Sequence, residues 1–297
     1  MAQAPALLER DELRRLDGLA LQVRRSVIGQ MAGERRSRRH GRSVEFADFR
    51  SYTPGDDFRL IDWNAYARLD RYLLRLFVAE EELPLSLFLD LSGSMDWGNP
   101  NKAWAARRLA GAIAYVALAA LDRVRLTVFA DGPTSGGAPT RGRHGAVQLF
   151  ARLQSFPVGG RTDYARLTWP IGRQRPGMSV MITDGLGPAP IDPALAALQR
   201  ARQEGAVLQM LAPQELEPDW SGDARLKDAE TGEEREMTST PVTKAAYRTA
   251  LARRTQELEE TARRRGLRFA RVLSGQPVDE VTHRVLQKIG LLRRPAG

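Results

Sequence analysis

From residue 84 onward the hydrophobic positions fall into short runs. Residues 85–90 (LSLFLD), 124–130 (VRLTVFA), 178–183 (MSVMIT), 206–212 and 267–273 are mostly apolar on both alternating faces, which predicts strands buried on both sides. Between and after them, 102–121, 146–155, 164–173, 192–204, 244–265 and 278–289 carry apolar residues at helical spacing. Repeated strand–helix units of this kind predict an α/β fold, a doubly wound, mainly parallel, Rossmann-like sheet with helices on both faces.

The first 83 residues have a different texture. Leu7, Leu8, Leu13, Leu16, Leu19, Leu21, Val23 and Ile28 predict an amphipathic helix over 7–28. Residues 42–82 are rich in aromatics (Phe46, Phe49, Tyr52, Trp63, Tyr66), contain the turn Pro54-Gly55-Asp56-Asp57 and end in a strand-like run over 72–78. Asp56, Asp57, Arg59, Asp62, Arg68 and Arg71 read as an ion-pair and hydrogen-bond network around these turns in preference to an active cluster. A segment of about 80 residues with few long apolar runs makes a marginal core, so residues 1–83 are expected to pack against the sheet formed by 84–290. That larger domain is interrupted at 213–243. Two charged runs flank Thr231-Gly232 there, predicting an exposed hairpin, either simply solvated or a partner-binding edge.

Composition narrows the classes. A chain of 297 residues with 42% hydrophobic and 27% charged residues is globular and makes one large domain or one plus a smaller one. With no cysteine, disulfides and thiolate metal sites are excluded. The first residues lack the apolar centre of a signal peptide. The longest apolar run, 109–121, is shorter than the roughly 20 residues that cross a bilayer, so no transmembrane segment and a cytoplasmic location are expected. The net charge of +9 comes almost wholly from arginine, since lysine occurs only at 102, 227, 244 and 288. Such diffuse charge bears on solubility and non-specific binding, and no specific nucleic-acid partner is expected. The densest cluster, Arg35, Arg36, Arg38, Arg39 and Arg42, follows neither a helical nor a strand period and reads as a solvated loop, with docking to an acidic partner as the alternative.

Candidate chemistry gathers where strands end. Asp90, Ser92 and Ser94 follow the first buried strand and precede a helix, the place where open α/β sheets hold ligands. One carboxylate and two hydroxyls form a hard oxygen set suited to Mg²⁺, Mn²⁺ or Ca²⁺, although tight turns use the same residue types. Asp184 follows the strand at 178–183 and so can approach Asp90, as a ligand or as a turn former. Thr162 lies at a Gly-rich turn opening a helix, as a cap or as a ligand. Three such loops in this order are poorly explained by chance.

Other chemistries lack their residues. There is no Gly-x-x-x-x-Gly-Lys-Ser/Thr and no His-Glu-x-x-His, and His40, His144 and His283 are scattered. Ser92 is not in a Gly-x-Ser-x-Gly elbow. A phosphotransfer hydrolase using Asp90 as nucleophile, of the haloacid-dehalogenase kind, would want a second Asp where Ser92 stands. The chain is therefore expected not to be an enzyme; such a hydrolase, or a structural module with an unused site, are the alternatives.

Taken together, Asp-x-Ser-x-Ser at 90–94, Gly-Gly-Arg-Thr-Asp at 159–163 and Thr-Asp-Gly at 183–185 resemble the metal-ion-dependent adhesion site (MIDAS) of von Willebrand factor A domains. Glu45-Phe46, Arg50, the stretch from Tyr52 to Trp63, Ala67-Arg68 and the Asp228-Ala229-Glu230-Thr231-Gly232-Glu233 hairpin resemble the bacterial domain-of-unknown-function family 58, over about 41–289. The resemblance implies a von Willebrand factor A-like fold. It implies Mg²⁺ (or Mn²⁺ or Ca²⁺) held directly or nearly so by Ser92, Ser94 and Thr162, with Asp90 and Asp184 acting directly or through water. It also implies an open coordination position for an acidic side chain of a client protein, and a MoxR-type AAA+ ATPase as partner, so that the chain would be an adaptor in complex assembly or maturation. Many such proteins carry two membrane spans near the amino terminus; this sequence shows none, though a membrane complex could recruit it.

Overall fold

The computed structural model describes residues 6–23, 44–53, 56, 58–79 and 83–294. It comprises two units: Met1–Val27 together with Leu83–Gly297, and Ile28–Glu82.

The chain begins with helix α1 (Arg10–Leu16), opened by a capping box in which the Glu9 amide donates to Glu12 Oε2 at 2.9 Å. The helix expected over 7–28 is thus only seven residues long. The backbone leaves helical geometry at Asp17 and passes through a left-handed Gly18 (φ +79°) into a two-residue strand, β1 (Ala20–Leu21). Residues 24–43, which include the arginine cluster and the end of that expected helix, lie outside the described residues. The boundary between units also differs from the expected division at 83. Leu7, Leu8 and Leu16 are buried, and the Leu7 carbonyl accepts from Arg108 Nε at 3.1 Å, so the first helix belongs with the sheet.

In the smaller unit, β2 (Val44–Ser51) pairs antiparallel with β3 (Leu73–Ala79), the run expected as strand-like. Between them Asp62 Oδ1 caps helix α2 (Trp63–Leu69), accepting from the amides of Asn64 (2.9 Å) and Ala65 (3.1 Å). Part of the expected ion-pair network is present: Asp56 accepts from Arg50 Nη2 at 2.8 Å and from the amide and hydroxyl of Thr53. Asp57 lies outside the described residues.

The larger unit holds the sheet. Its elements run β4 (Pro84–Asp90), α3 (Lys102–Ala119), β5 (Arg123–Phe129), β6 (Pro133–Ser135), β7 (Thr140–Arg141), α4 (His144–Ser155), β8 (Gly177–Thr183), α5 (Asp192–Arg200), β9 (Gln203–Leu211), β10 (Asp223–Lys227), β11 (Glu234–Thr238), α6 (Pro241–Arg264), β12 (Arg268–Leu273) and β13 (Leu292–Arg293). Strand order is β12-β9-β8-β4-β5-β6, with β7 also on β5. The pairs from β12 to β5 are parallel, and β6 and β7 add antiparallel edges. This is the expected doubly wound, mainly parallel α/β fold. One expectation needed adjustment: the stretch 164–173 is a 3₁₀ turn and a short helix, Thr168–Gly172. Between β5 and α4 the chain forms the two edge strands β6 and β7. The hairpin is present as β10 and β11, paired from Asp223↔Thr238 to Lys227↔Glu234.

Every residue of β8 is buried, as are the last six of β4, which explains why both read as continuous apolar runs. α3 buries Ala106, Leu109, Ala110, Ile113 and Val116 among others, its small residues allowing close approach to the sheet. A second cluster, with Phe88, Phe129, Met181, Leu195, Val207 and Leu258, fills the space under α5 and α6. Burying each such side chain contributes roughly 1.5–3 kcal/mol. From β4 the chain turns one way to β5 and later returns on the other side to β8. The connections that leave the two central strands at their carboxyl ends therefore run in opposite directions, which makes this the topological switch point where open α/β sheets form a crevice.

Candidate functional site

That crevice is where Asp90 and Asp184 emerge. Asp90 ends β4 fully buried, and its carboxylate is ringed by short polar side chains. Oδ1 accepts from the Ser92 amide at 3.0 Å, and Oδ2 from the hydroxyls of Thr183 (2.6 Å) and Thr162 (3.4 Å). The Tyr164 and Thr183 hydroxyls are 2.7 Å apart. Ser92 begins the 3₁₀ turn Gly93–Met95, which brings its Oγ to 3.1 Å from Ser94 Oγ.

Thr162 is carried in by a loop stitched to the first one. The Gly159 amide donates to the Leu91 carbonyl and the Gly93 amide to the Gly160 carbonyl, each at 2.9 Å. The Arg161 amide is fixed by Asp131 Oδ1 at 2.8 Å. Capping of the following turn falls to Asp163, whose Oδ1 accepts from the Ala165 amide at 3.0 Å, and the Thr162 hydroxyl is left for the crevice. The third loop adds Asp184, also buried. Its Oδ1 accepts from the Leu186 amide (3.2 Å), the turn role expected for it, and its Oδ2 from Lys102 Nζ (2.9 Å). The structure thus brings Asp90, Ser92 and Thr162 into direct contact, Ser94 alongside Ser92, and Asp184 near enough for its charge to act on Asp90.

The electrostatics are those of a concentrated negative site. Burial, reinforced by the Asp184 charge, pushes the Asp90 carboxyl up to about 7 against the opposing hydrogen bonds of Thr183 and Ser92. Lys102, at the start of α3, bridges Asp184 and Glu215 Oε1 (2.6 Å). Burial alone would depress its ammonium, but the two carboxylates outweigh that and raise it. Burial likewise raises Glu215, against the pull of Lys102. Among the described residues no Lys, Arg or His pairs with Asp90, so the buried charge there is met by hydroxyls and one amide.

One further carboxylate reaches the crevice from the hairpin tip. Glu230 Oε1 accepts from the Thr162 hydroxyl at 3.0 Å and Oε2 from the Thr162 amide at 3.2 Å. Sequence reasoning did not place Glu230, Lys102, Glu215 or Tyr164 in the site, and it gave Thr183, within the Thr-Asp-Gly motif, no role of its own. One signal was available: Lys102 is one of only four lysines and begins a mostly apolar helix.

A hard divalent cation fits these residues. The donors are oxygens of a buried carboxylate and three hydroxyls, and a cation beside Asp90 would offset the burial and the Asp184 charge that together raise its carboxyl. Among the described residues no group of three or more His, Cys, Asp or Glu side chains is arranged to hold a metal, so the hydroxyls of Ser92, Ser94 and Thr162 would have to contribute.

Comparison with known proteins places the chain. It is 31% identical over 253 residues to uncharacterized protein Mb1516 of Mycobacterium bovis and to uncharacterized protein Rv1480 of Mycobacterium tuberculosis, covering 82% of this chain and 79% of each relative. Solved structures similar to it include BatB from Bacteroides thetaiotaomicron (16% identity, 70% of this chain and 98% of that one, TM-score 0.41). Another is a von Willebrand factor type A protein from Catenulispora acidiphila (15% identity, 73% and 43%, TM-score 0.44). The model of the family described as protein of unknown function DUF58 matches residues 48–283, most of the chain and all three site loops, and the chain belongs to that family.

Proposed function

We propose that the protein is a non-enzymatic adaptor that binds other proteins through a divalent metal, working with a MoxR-type AAA+ ATPase in the assembly or maturation of a complex. The observation that carries this reading is the convergence of Asp90, Ser92, Ser94 and Thr162 at the switch-point crevice, with Asp184 beside them. Mg²⁺, or Mn²⁺ or Ca²⁺, would be held by Ser92, Ser94, Thr162 and Asp90, with Asp184 acting directly or through water. Bound there, the cation supplies a Lewis-acidic position that accepts a carboxylate from a client and joins two acidic groups that would otherwise repel.

The chain's own residues prepare that role. The stitched loops fix the hydroxyls, Thr183 orients Asp90, and Lys102 holds Asp184 while partly neutralising it. The non-enzymatic reading draws on Ser92, which occupies the position where a phosphotransfer site of this layout would carry its general acid. The ATPase partner follows from the resemblance to the family. A cytoplasmic location agrees with the finding that no helix among the described residues is long and apolar enough to cross a membrane.

Capture experiments with a MoxR-type ATPase from the same genome test the reading. The ATPase should be retained by the wild-type protein in Mg²⁺, and released by chelator or by Asp90→Asn. Retention that ignores both chelator and substitution would overturn metal-dependent binding.

A further inference from the structure

The hairpin formed by β10 and β11 is not an idle insertion, because its tip sits on all three loops of the crevice. The Glu230 carboxylate takes both the hydroxyl and the amide of Thr162. The Glu230 carbonyl accepts from Arg161 Nε at 3.3 Å. The Ala229 carbonyl lies so close to the first loop that a Cβ on Gly93 would stand 2.6 Å from its oxygen, so the residue between Ser92 and Ser94 must be glycine for the tip to seat. On the third loop, a Cβ on Gly187 would lie 3.7 Å from Glu230 Oε2.

The tip is also preorganised to present this side chain. Asp228 Oδ1 accepts from the amides of Glu230 (2.9 Å) and Thr231 (2.6 Å), and the Gly232 amide closes the turn onto the Asp228 carbonyl at 2.9 Å. These bonds, that of the Thr231 amide first, hold the Asp228 carboxyl below its ordinary range. By contrast, the strands behind the tip are largely exposed, held to each other by cross-strand pairs such as Arg225 with Glu234 (3.6 Å) and Glu236 (3.3 Å). An arm with little buried surface, closed at its end by a carboxylate on a hydroxyl of the site, has the build of a latch.

The geometry points to Glu230 as a carboxylate that the chain supplies to its own crevice, occupying the face that an acidic side chain of a client would take. The inference rests on the metal-binding reading above. With the cation present, Glu230 completes its oxygen set, and a client's acid must displace the hairpin tip to bind. The hairpin thereby sets a threshold: only a partner that also grips the exposed arm, or presents its acid at high local concentration, opens the site.

The test is calorimetric titration of Mn²⁺ into wild type, Glu230→Ala and Glu230→Gln, each in sodium chloride and in sodium acetate at equal ionic strength. Both variants should bind Mn²⁺ more weakly than wild type by on the order of tenfold. Acetate should restore most of the loss in Glu230→Ala, where it can enter the vacated place, and leave wild type unchanged. Amide exchange at Thr231 and Glu233 should slow on Mn²⁺ addition in wild type alone. If wild type and both variants bind Mn²⁺ equally and acetate has no effect, the role of Glu230 is overturned while the metal reading survives. A loss in Glu230→Ala that acetate does not repair overturns it too, since a free carboxylate then cannot replace the side chain. If none of the three proteins binds Mn²⁺, the metal reading itself fails, and this inference with it.

Discussion

At the scale of single residues the crevice depends on Lys102. Its ammonium is almost fully buried between Asp184 and Glu215, and removing it would leave two carboxylates facing each other out of water. Lys102→Met should therefore cost about 3–5 kcal/mol of stability, the usual penalty for breaking a buried ion pair from one side. Urea unfolding measures this; a loss below about 1 kcal/mol would mean that the carboxylates simply protonate or rehydrate. The lysine shows how far the site was legible from sequence. Asp90, Ser92, Ser94, Thr162 and Asp184 stand out because each follows a recognisable strand or glycine turn. Lys102 contacts Asp184 and Glu215, which lie 82 and 113 residues away along the chain, and nothing local marks such pairs. The hydroxyl of Tyr164 was hidden for a similar reason, since it meets Thr183 only once the loop folds onto the strand, and Thr183, though part of the Thr-Asp-Gly motif, shows its bond to Asp90 only then.

Among the elements, the β2 end and the turn that follows it make a pH prediction. The Arg50 guanidinium, with the hydroxyl and amide of Thr53, holds Asp56 at about 2, below its ordinary 3.8. A carboxyl depressed in the folded state stabilises it fully above the unfolded value and ceases to do so as pH falls through the folded one. The turn should thus stay closed above about pH 4 and loosen between that and about pH 2, seen as faster amide exchange at Thr53. Asp56→Asn should exchange fast throughout; a wild-type rate flat across this window would contradict the assignment. Elements were read well where periodicity was strong and badly where it was diluted. The buried strands β4 and β8 appeared as mostly apolar runs. The helix expected over 7–28 failed because its later leucines serve a strand: Leu21 is buried in β1, paired with Leu292 of β13. Apolar spacing alone does not distinguish those two uses over so short a stretch.

For the whole molecule, the alternation of strand and helix was enough to foresee a mainly parallel doubly wound sheet, but not the order of its strands. That order, with β4 and β8 adjacent and their connections leaving in opposite directions, is what brings Asp90 and Asp184 to one crevice. The hairpin was expected as an exposed insertion and is one along its strands. That its tip reaches back to Thr162 depends on the path of the chain after β9, which no sequence pattern records. The proposed function requires a divalent cation in this crevice. Calorimetric titration of Mg²⁺ into wild type, Asp90→Asn and Thr162→Ala tests it most directly. Saturable binding at a single site is expected in wild type, weakened at least about tenfold in each variant. Absence of binding in wild type, or binding that both variants retain unchanged, would contradict it.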